Sequence, residues 1–333
     1  MPTFAAAGAL LERATRDRVT PGAVIEVGRR ADVLWRAPFG TLTYAPDAPK
    51  TAGDTIYDLA SLTKVIATTT IAMRLVERGA IELDAIRPLL DHSSGWPAHV
   101  KLFQTARNRE EFRAQILATA LDRAPGTAAV YSDIGFILLG FLLEDAGGAP
   151  LDEQFAPIAA RLGEIGFNPA ASLTPRIAPT EVGASRGLPT GALAKVGEVH
   201  DENAFALGGV AGHAGLFGTA AAVGTFARAI LDTFAGDTWL ARQATLRTFA
   251  TRSSVPGSSR ALGWDTMLPT SSCGTLMSPR AIGHTGFTGT SLWIDPEKDL
   301  YVALLTNRVH PTRDGAGIQE LRRLVADAVV SNL

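Results

Sequence analysis

Ser61-Leu62-Thr63-Lys64 is the stretch on which the reading of this chain turns. Val65, Thr69, Ala72 and Val76 follow at helical spacing and Gly79 ends the run, so residues 61–78 are expected to form a helix that opens at the serine. In a helix, residues three apart share a face. A serine hydroxyl is a weak nucleophile until a neighbouring group takes its proton, and an amine can do so. Lysine is scarce here: Lys50, Lys64, Lys101, Lys195 and Lys298 are all there are, and only Lys64 has a serine three residues before it. Two fixed residues in four also arise by chance. The ordinary alternative is Ser61 as a helix cap with Lys64 in water.

Two further segments could complete a site. Tyr131-Ser132-Asp133 follows Pro125-Gly126-Thr127 and opens an apolar run at 133–146. A tyrosine there can relay a proton where positive charge lowers its pKa. Asp133 also suits the N-cap of the helix it precedes. His284-Thr285-Gly286 precedes Phe287-Thr288-Gly289 and a β-like run at 291–294. A glycine beside an edge strand lets a substrate backbone come close.

The chain has 333 residues, 46% hydrophobic and 19% charged, which fits a globular unit with a large core and two lobes. With 31 basic and 33 acidic residues and no basic run, nothing favours nucleic acid. The one cysteine, Cys273, cannot form an intramolecular disulfide. No Cys/His cluster has zinc-ligand spacing. A site built from His200 and His213 with Asp201 or Glu202 lacks any short ligand pair, so no metal is assigned. Phe4, Ala7, Leu11 and Ala14 recur at helical spacing among charged residues, unlike a signal peptide. The longest apolar stretch, 134–143, is too short to span a bilayer. The expectation is a soluble cytoplasmic chain with no membrane insertion, or a periplasmic or secreted one if a leader has been removed.

Strand-like runs occur at both ends, at 23–27, 33–36, 291–294 and 300–306, with 295–299 as a turn. Ile318, Leu321, Val325 and Val329 mark one face of a last helix. Further helices are expected at 133–146, 220–235 and 238–250, and a long loop at 168–200. The simplest closure is an α+β fold. One antiparallel sheet is assembled from both chain ends and flanked by the terminal helices, with a mostly helical central lobe against it. The corresponding units are 1–55 with 265–333, and 56–264, with a cleft between them as the expected site.

The three segments, in this order and with this wide spacing, resemble the serine β-lactamase and penicillin-binding-protein superfamily. Specifically they resemble its class C-like branch, which includes β-lactamase-fold esterases and D-aminopeptidases. Asp58-Leu59-Ala60 before Ser61 and Leu89-Leu90-Asp91-His92-Ser93-Ser94-Gly95 match as well. Val199-His200-Asp201-Glu202-Asn203-Ala204 with Gly212-His213-Ala214-Gly215-Leu216-Phe217 is similar to a narrower subgroup around an exo-acting N-acetylmuramyl-L-alanine amidase.

The resemblance implies a β-lactamase/transpeptidase-like fold and a serine hydrolase working through an acyl-enzyme without a cofactor. Ser61 is then the nucleophile, and Lys64 and Tyr131 share the acid–base work as a coupled pair. The backbone N–H groups of Ser61 and Phe287 form the oxyanion hole. Asp133, His284, Thr285, Gly286, His200, Asn203 and His213 line the substrate. Asp133 stands where relatives often carry asparagine, and His284 replaces a lysine that holds a substrate carboxylate. Both changes argue for weak or absent β-lactamase activity.

The expected substrate is a small molecule or peptide: a cell-wall fragment such as a muropeptide, or a D-amino-acid peptide. A small-ester carboxylesterase is the alternative, and an acylating but non-turnover sensor module is the alternative of another class. Gly183-Ala184-Ser185-Arg186-Gly187 also matches the G-x-S-x-G elbow, but prolines at 175, 179 and 189 leave no strand–turn–helix for it.

Overall fold

We describe a computed structural model of the chain, covering residues 3–182 and 195–333. The Gly183–Gly187 elbow match lies outside the described residues. Among those residues are nine strands: β1 (Gly22–Gly28), β2 (Val33–Gly40), β3 (Tyr57–Asp58), β4 (Ile165–Phe167), β5 (Leu216–Gly218), β6 (Asp265–Thr266), β7 (Ile282–Thr285), β8 (Ser291–Asp295) and β9 (Leu300–Thr306). Six form one antiparallel sheet in the order β2-β1-β9-β8-β7-β6. Both chain ends feed it, as the sequence periodicity implies.

The strand alternation sorts side chains to two faces. Ala23, Ile25 and Val27 of β1 and Val302 and Leu304 of β9 pack under the helices Ala5–Arg16 and Ile318–Val330. Val24, Ala303 and Leu305 face the other way, into a core with Val223, Phe226 and Ile230 of the helix Ala220–Ala235. With both faces covered, β1 and β9 are buried along their whole length. The edge strand β2 alternates toward solvent.

The central stretch is mostly helical and shares that second core. Leu62, Val65, Phe136 and Leu139 sit in the same cluster as the sheet residues Leu292 and Leu305. The helix Asp133–Gly147 is buried on nearly every side, as its continuous apolar run requires. Within this stretch lies a second small sheet, β3-β5-β4, that periodicity does not reveal because its strands have two or three residues. The helix expected from 238 starts at Gln243 instead. The Asp237 side chain accepts the Trp239 N–H and forms a turn there.

Candidate active site

Ser61 sits where β3 hands over to the nucleophile helix. Asp58 ends β3 and is buried; its carboxylate accepts the N–H groups of Ala60 at 2.8 Å and His200 at 2.6 Å. Ala60 takes a left-handed backbone conformation, φ +47°, which an L-residue adopts at a cost of roughly 1–2 kcal/mol. That turn places Ser61 at the start of the helix, whose first stretch, Lys64–Thr68, is π-helical before Thr69–Glu77 becomes α-helical.

Lys64 is fully buried, and all three of its ammonium protons are used. They go to Ser61 Oγ at 3.0 Å, Asp133 Oδ1 at 2.8 Å and the His213 carbonyl at 3.0 Å. The last contact depends on a close approach. A Cβ on Gly212 would lie 2.2 Å from the Phe136 carbonyl, so glycine lets this loop press onto the helix Asp133–Gly147. Burial alone would lower the Lys64 pKa, but Asp133 and Tyr131 outweigh it and raise it. Burial pulls Asp133 upward, yet the Lys64 ammonium and His99 hold it below the usual carboxylate range.

Tyr131 donates its hydroxyl to Ser61 Oγ at 2.7 Å. Its ring is held by His92 at 4.7 Å, His284 at 5.7 Å and the guanidinium of Arg260 at 5.0 Å. Burial raises its pKa, with Lys64 opposing. Ser132, not Asp133, caps the following helix, by accepting the Gly135 N–H. Asp133 is the first helical residue and its carboxylate turns toward Lys64.

The third wall is the turn after β7. Thr288 and Thr290 donate their hydroxyls to the Asp58 and Leu59 carbonyls, at 2.7 and 3.1 Å, joining this turn to the nucleophile loop. Arg322 grips it from the last helix, donating to the Gly286 and Thr290 carbonyls at 2.7 and 2.8 Å. A Cβ on Gly286 would lie 2.1 Å from Thr290 Oγ1 and 2.7 Å from the Leu59 carbonyl. Among the described residues, neither the Ser61 nor the Phe287 backbone N–H has an acceptor, which leaves both free for an oxyanion. The Phe287 ring is half exposed, stacked on His200 and covered by Arg308.

His284 is buried and donates from Nδ1 to the Thr285 carbonyl at 2.8 Å, which leaves Nε2 an acceptor without a partner. Burial, with Arg260 and Lys64, lowers its pKa well below the usual value, so the ring is neutral. His284 therefore does not replace the lysine charge. The Arg260 side chain lines the same cleft and has no carboxylate partner among the described residues.

These groups surround a cleft of about 680 Å³, lined by Ser61, Tyr131, Asp133, His284, Thr285 and Gly286, and also by Phe287, His200 and His213. The two histidines bind different carboxylates. His200 pairs with Glu181 at 3.1 Å and His213 with Asp201 at 2.7 Å, so they do not converge as metal ligands. Asn203 is a correction. It is wholly buried and outside the cleft, where its amide accepts the Phe103 N–H and donates to the Val100 carbonyl. Its place in the helix Glu202–Ala206 turns it to the 100–103 segment, so it fixes a loop and does not line the cleft. His99, Arg260, Arg308, Arg313 and Arg322 also line the cleft. No local sequence pattern marks them, since tertiary packing alone brings them there.

A serine with an amine and a phenol on its oxygen, set at a helix start between a sheet and a helical lobe, defines a serine hydrolase of β-lactamase fold. The chain belongs to the beta-lactamase family, whose model matches residues 8–327. It is 32% identical to a putative D-alanyl-D-alanine carboxypeptidase of Escherichia coli K12, over 78% of this chain and 71% of that one. It is also 32% identical to the N-acetylmuramyl-L-alanine amidase of Bacillus subtilis 168, over 87% and 78%. The fold matches a penicillin-binding-protein homologue from Caulobacter crescentus with a TM-score of 0.76 at 19% identity, over 99% and 97% of the two chains. It also matches EstCE1, a hydrolase with promiscuous acyltransferase activity, with a TM-score of 0.74 at 20% identity, over 98% of each.

Proposed function

We propose that this enzyme hydrolyses an amide of a peptidoglycan fragment, with the muramyl–L-alanine bond as the first candidate. The observation that carries the reading is Ser61 Oγ held at 3.0 Å from Lys64 Nζ and 2.7 Å from the Tyr131 hydroxyl. Ser61 attacks the carbonyl, and its proton passes to the Lys64–Tyr131 pair. The oxyanion forms against the N–H groups of Ser61 and Phe287. Tyr131 then hands a proton to the leaving amine, and water attacks the acyl-enzyme with the same pair as base. Lys64 carries a proton at rest, so it must lose one before the pair can accept another.

Two features support an amide over an ester. A leaving amide brings an N–H, and His284 Nε2 on the Tyr131 side is an acceptor without a partner. The Bacillus subtilis amidase also aligns over 87% of this chain. The cleft is large enough for a sugar–peptide junction. The test is incubation with N-acetylmuramyl-L-alanyl-D-isoglutamine and analysis by mass spectrometry. Free N-acetylmuramic acid with the intact dipeptide is expected. Release of p-nitrophenol from simple esters with muropeptides intact would shift the assignment to an esterase. Loss of only the terminal D-alanine from an N-acetylmuramyl pentapeptide incubated in parallel would shift it to a carboxypeptidase.

A further inference from the structure

We propose that His92 is a positioning residue for Tyr131: it holds the chain on both sides of the tyrosine and so sets the phenol on the nucleophile. The inference rests on the acyl-transfer reading above and deepens it.

His92 lies in the turn that leaves the helix Leu83–Leu90, and it is buried. Its carbonyl accepts the Val130 N–H at 2.9 Å, and its ring Nδ1 accepts the Ser132 N–H at 3.0 Å. One residue thus takes the N–H groups immediately before and after Tyr131. The Tyr131 peptide makes no backbone hydrogen bond of its own among the described residues, so its neighbours fix it. After Tyr131 the chain has further ties: the Ser132 hydroxyl donates to the Pro97 carbonyl at 2.8 Å, and the Asp133 N–H to that of Ala98 at 2.9 Å. Before it, Val130 is held by His92, and the next tie to the same turn is the Gly126 N–H on the Ser93 carbonyl at 2.8 Å. The turn is itself anchored. The Asp91 carboxylate accepts the Ser93 N–H at 3.1 Å and the Ser253 hydroxyl at 2.8 Å.

Two features show what the histidine contributes. Its backbone is left-handed, φ +60°, a conformation that costs a non-glycine residue energy and persists where its surroundings impose it. Here it lets the carbonyl and the ring of one residue reach the same short segment. The second feature is the ring. Nδ1 accepts a bond, so the proton is on Nε2, which is buried without a partner among the described residues. Burial, with Arg260, Lys64 and His284, lowers the pKa of the ring well below the usual value, which keeps Nδ1 an acceptor. The one hydrogen bond the ring makes is therefore the bond to Ser132. The ring also packs on Tyr131 at 4.7 Å and on Phe136 at 5.0 Å. The Tyr131 hydroxyl sits 2.7 Å from Ser61 Oγ, and a misplacement of about 1 Å in such a pair costs on the order of a hundredfold in rate.

The experiment measures turnover of p-nitrophenyl acetate by the wild type, His92→Phe, His92→Asn, Tyr131→Phe and the His92→Phe/Tyr131→Phe double variant. Circular dichroism checks folding, and fluorophosphonate labelling of Ser61 is run in parallel. His92→Phe keeps a ring but no acceptor, so kcat should fall about ten- to a hundredfold with KM little changed. In the Tyr131→Phe background the same substitution should change kcat by less than about threefold, because no hydroxyl is left to position. His92→Asn keeps an acceptor near the Nδ1 position and tolerates the left-handed backbone, so its kcat should stay within about fivefold of wild type. Full kcat in a folded His92→Phe overturns the clamp. So does a loss of equal size with and without the Tyr131 hydroxyl, which a general structural defect would give. If His92→Phe does not fold, His92→Asn decides, since a larger loss in that folded variant also overturns the clamp. Tyr131→Phe at full kcat removes the tyrosine from the proton path, and this inference with it. No labelling at Ser61 with no turnover overturns the acyl-transfer reading itself.

Discussion

Asp133 Oδ1 lies 2.8 Å from the ammonium of Lys64, so the first residue of one buried helix neutralises the amine of another. The lysine side chain is wholly buried. A fully buried ammonium without a partner would lose its proton, and the aspartate prevents this.

Asp133→Asn removes that charge and should lower the Lys64 pKa. Activity needs the amine free to accept a proton, so the acid limb of kcat/KM should move to lower pH in the variant. The same pair shapes stability. Asp133 is depressed in the folded state, so its contribution is full above the ordinary carboxylate range and is lost as pH falls toward the folded value. Between roughly pH 5 and 3, the wild-type Tm should therefore fall more steeply than that of the variant. A pH–rate profile with an unmoved acid limb would contradict the account.

Tyr131→Phe keeps the ring between His92, His284 and Arg260 but deletes the hydroxyl at 2.7 Å from Ser61. We expect kcat to fall by roughly 10²–10⁴, with a much smaller change in KM. Steady-state kinetics on any turned-over substrate checks this. A loss confined to KM would remove tyrosine from the proton path.

Arg322→Gln releases the Gly286 and Thr290 carbonyls from the last helix. The Phe287 N–H sits in the turn they bracket. The expected result is a fall in kcat of about ten- to a thousandfold, up to the loss of one oxyanion donor, with binding of unreactive ligands retained. Unaltered kcat in a folded variant would show that the turn holds its shape without the arginine.

Asn203→Ala separates a structural role from a binding one. The residue makes two buried hydrogen bonds to the 100–103 segment. Truncation should cost about 1–3 kcal/mol, seen as a lower Tm, while kcat and KM stay as they were. A change in KM at full stability would restore it to the substrate wall.

Much of the fold was legible because its main strands are short apolar runs bounded by turn residues. The run at 300–306 appears as β9, and Asp295 accepts the N–H groups of Glu297 and Lys298 at the turn before it. Ser61, Lys64 and Tyr131 were legible for a similar reason: each lies at the start of an element or in a fixed short word. The remainder depends on long-range packing. β5 has three residues and exists because β3 and β4 flank it. His99 and Arg260 reach the cleft from loops with no periodicity to read. Asn203 stands beside residues that do line the cleft, yet a short helix turns its amide away, a distinction invisible without coordinates.

The central claim is that Ser61 is an activated nucleophile. Intact-mass and peptide-mapping analysis after fluorophosphonate treatment, beside Ser61→Ala, tests it most directly. The account predicts a single adduct on the peptide holding Ser61, absent from the variant. An adduct at Ser185, or equal labelling of wild type and variant, would contradict it.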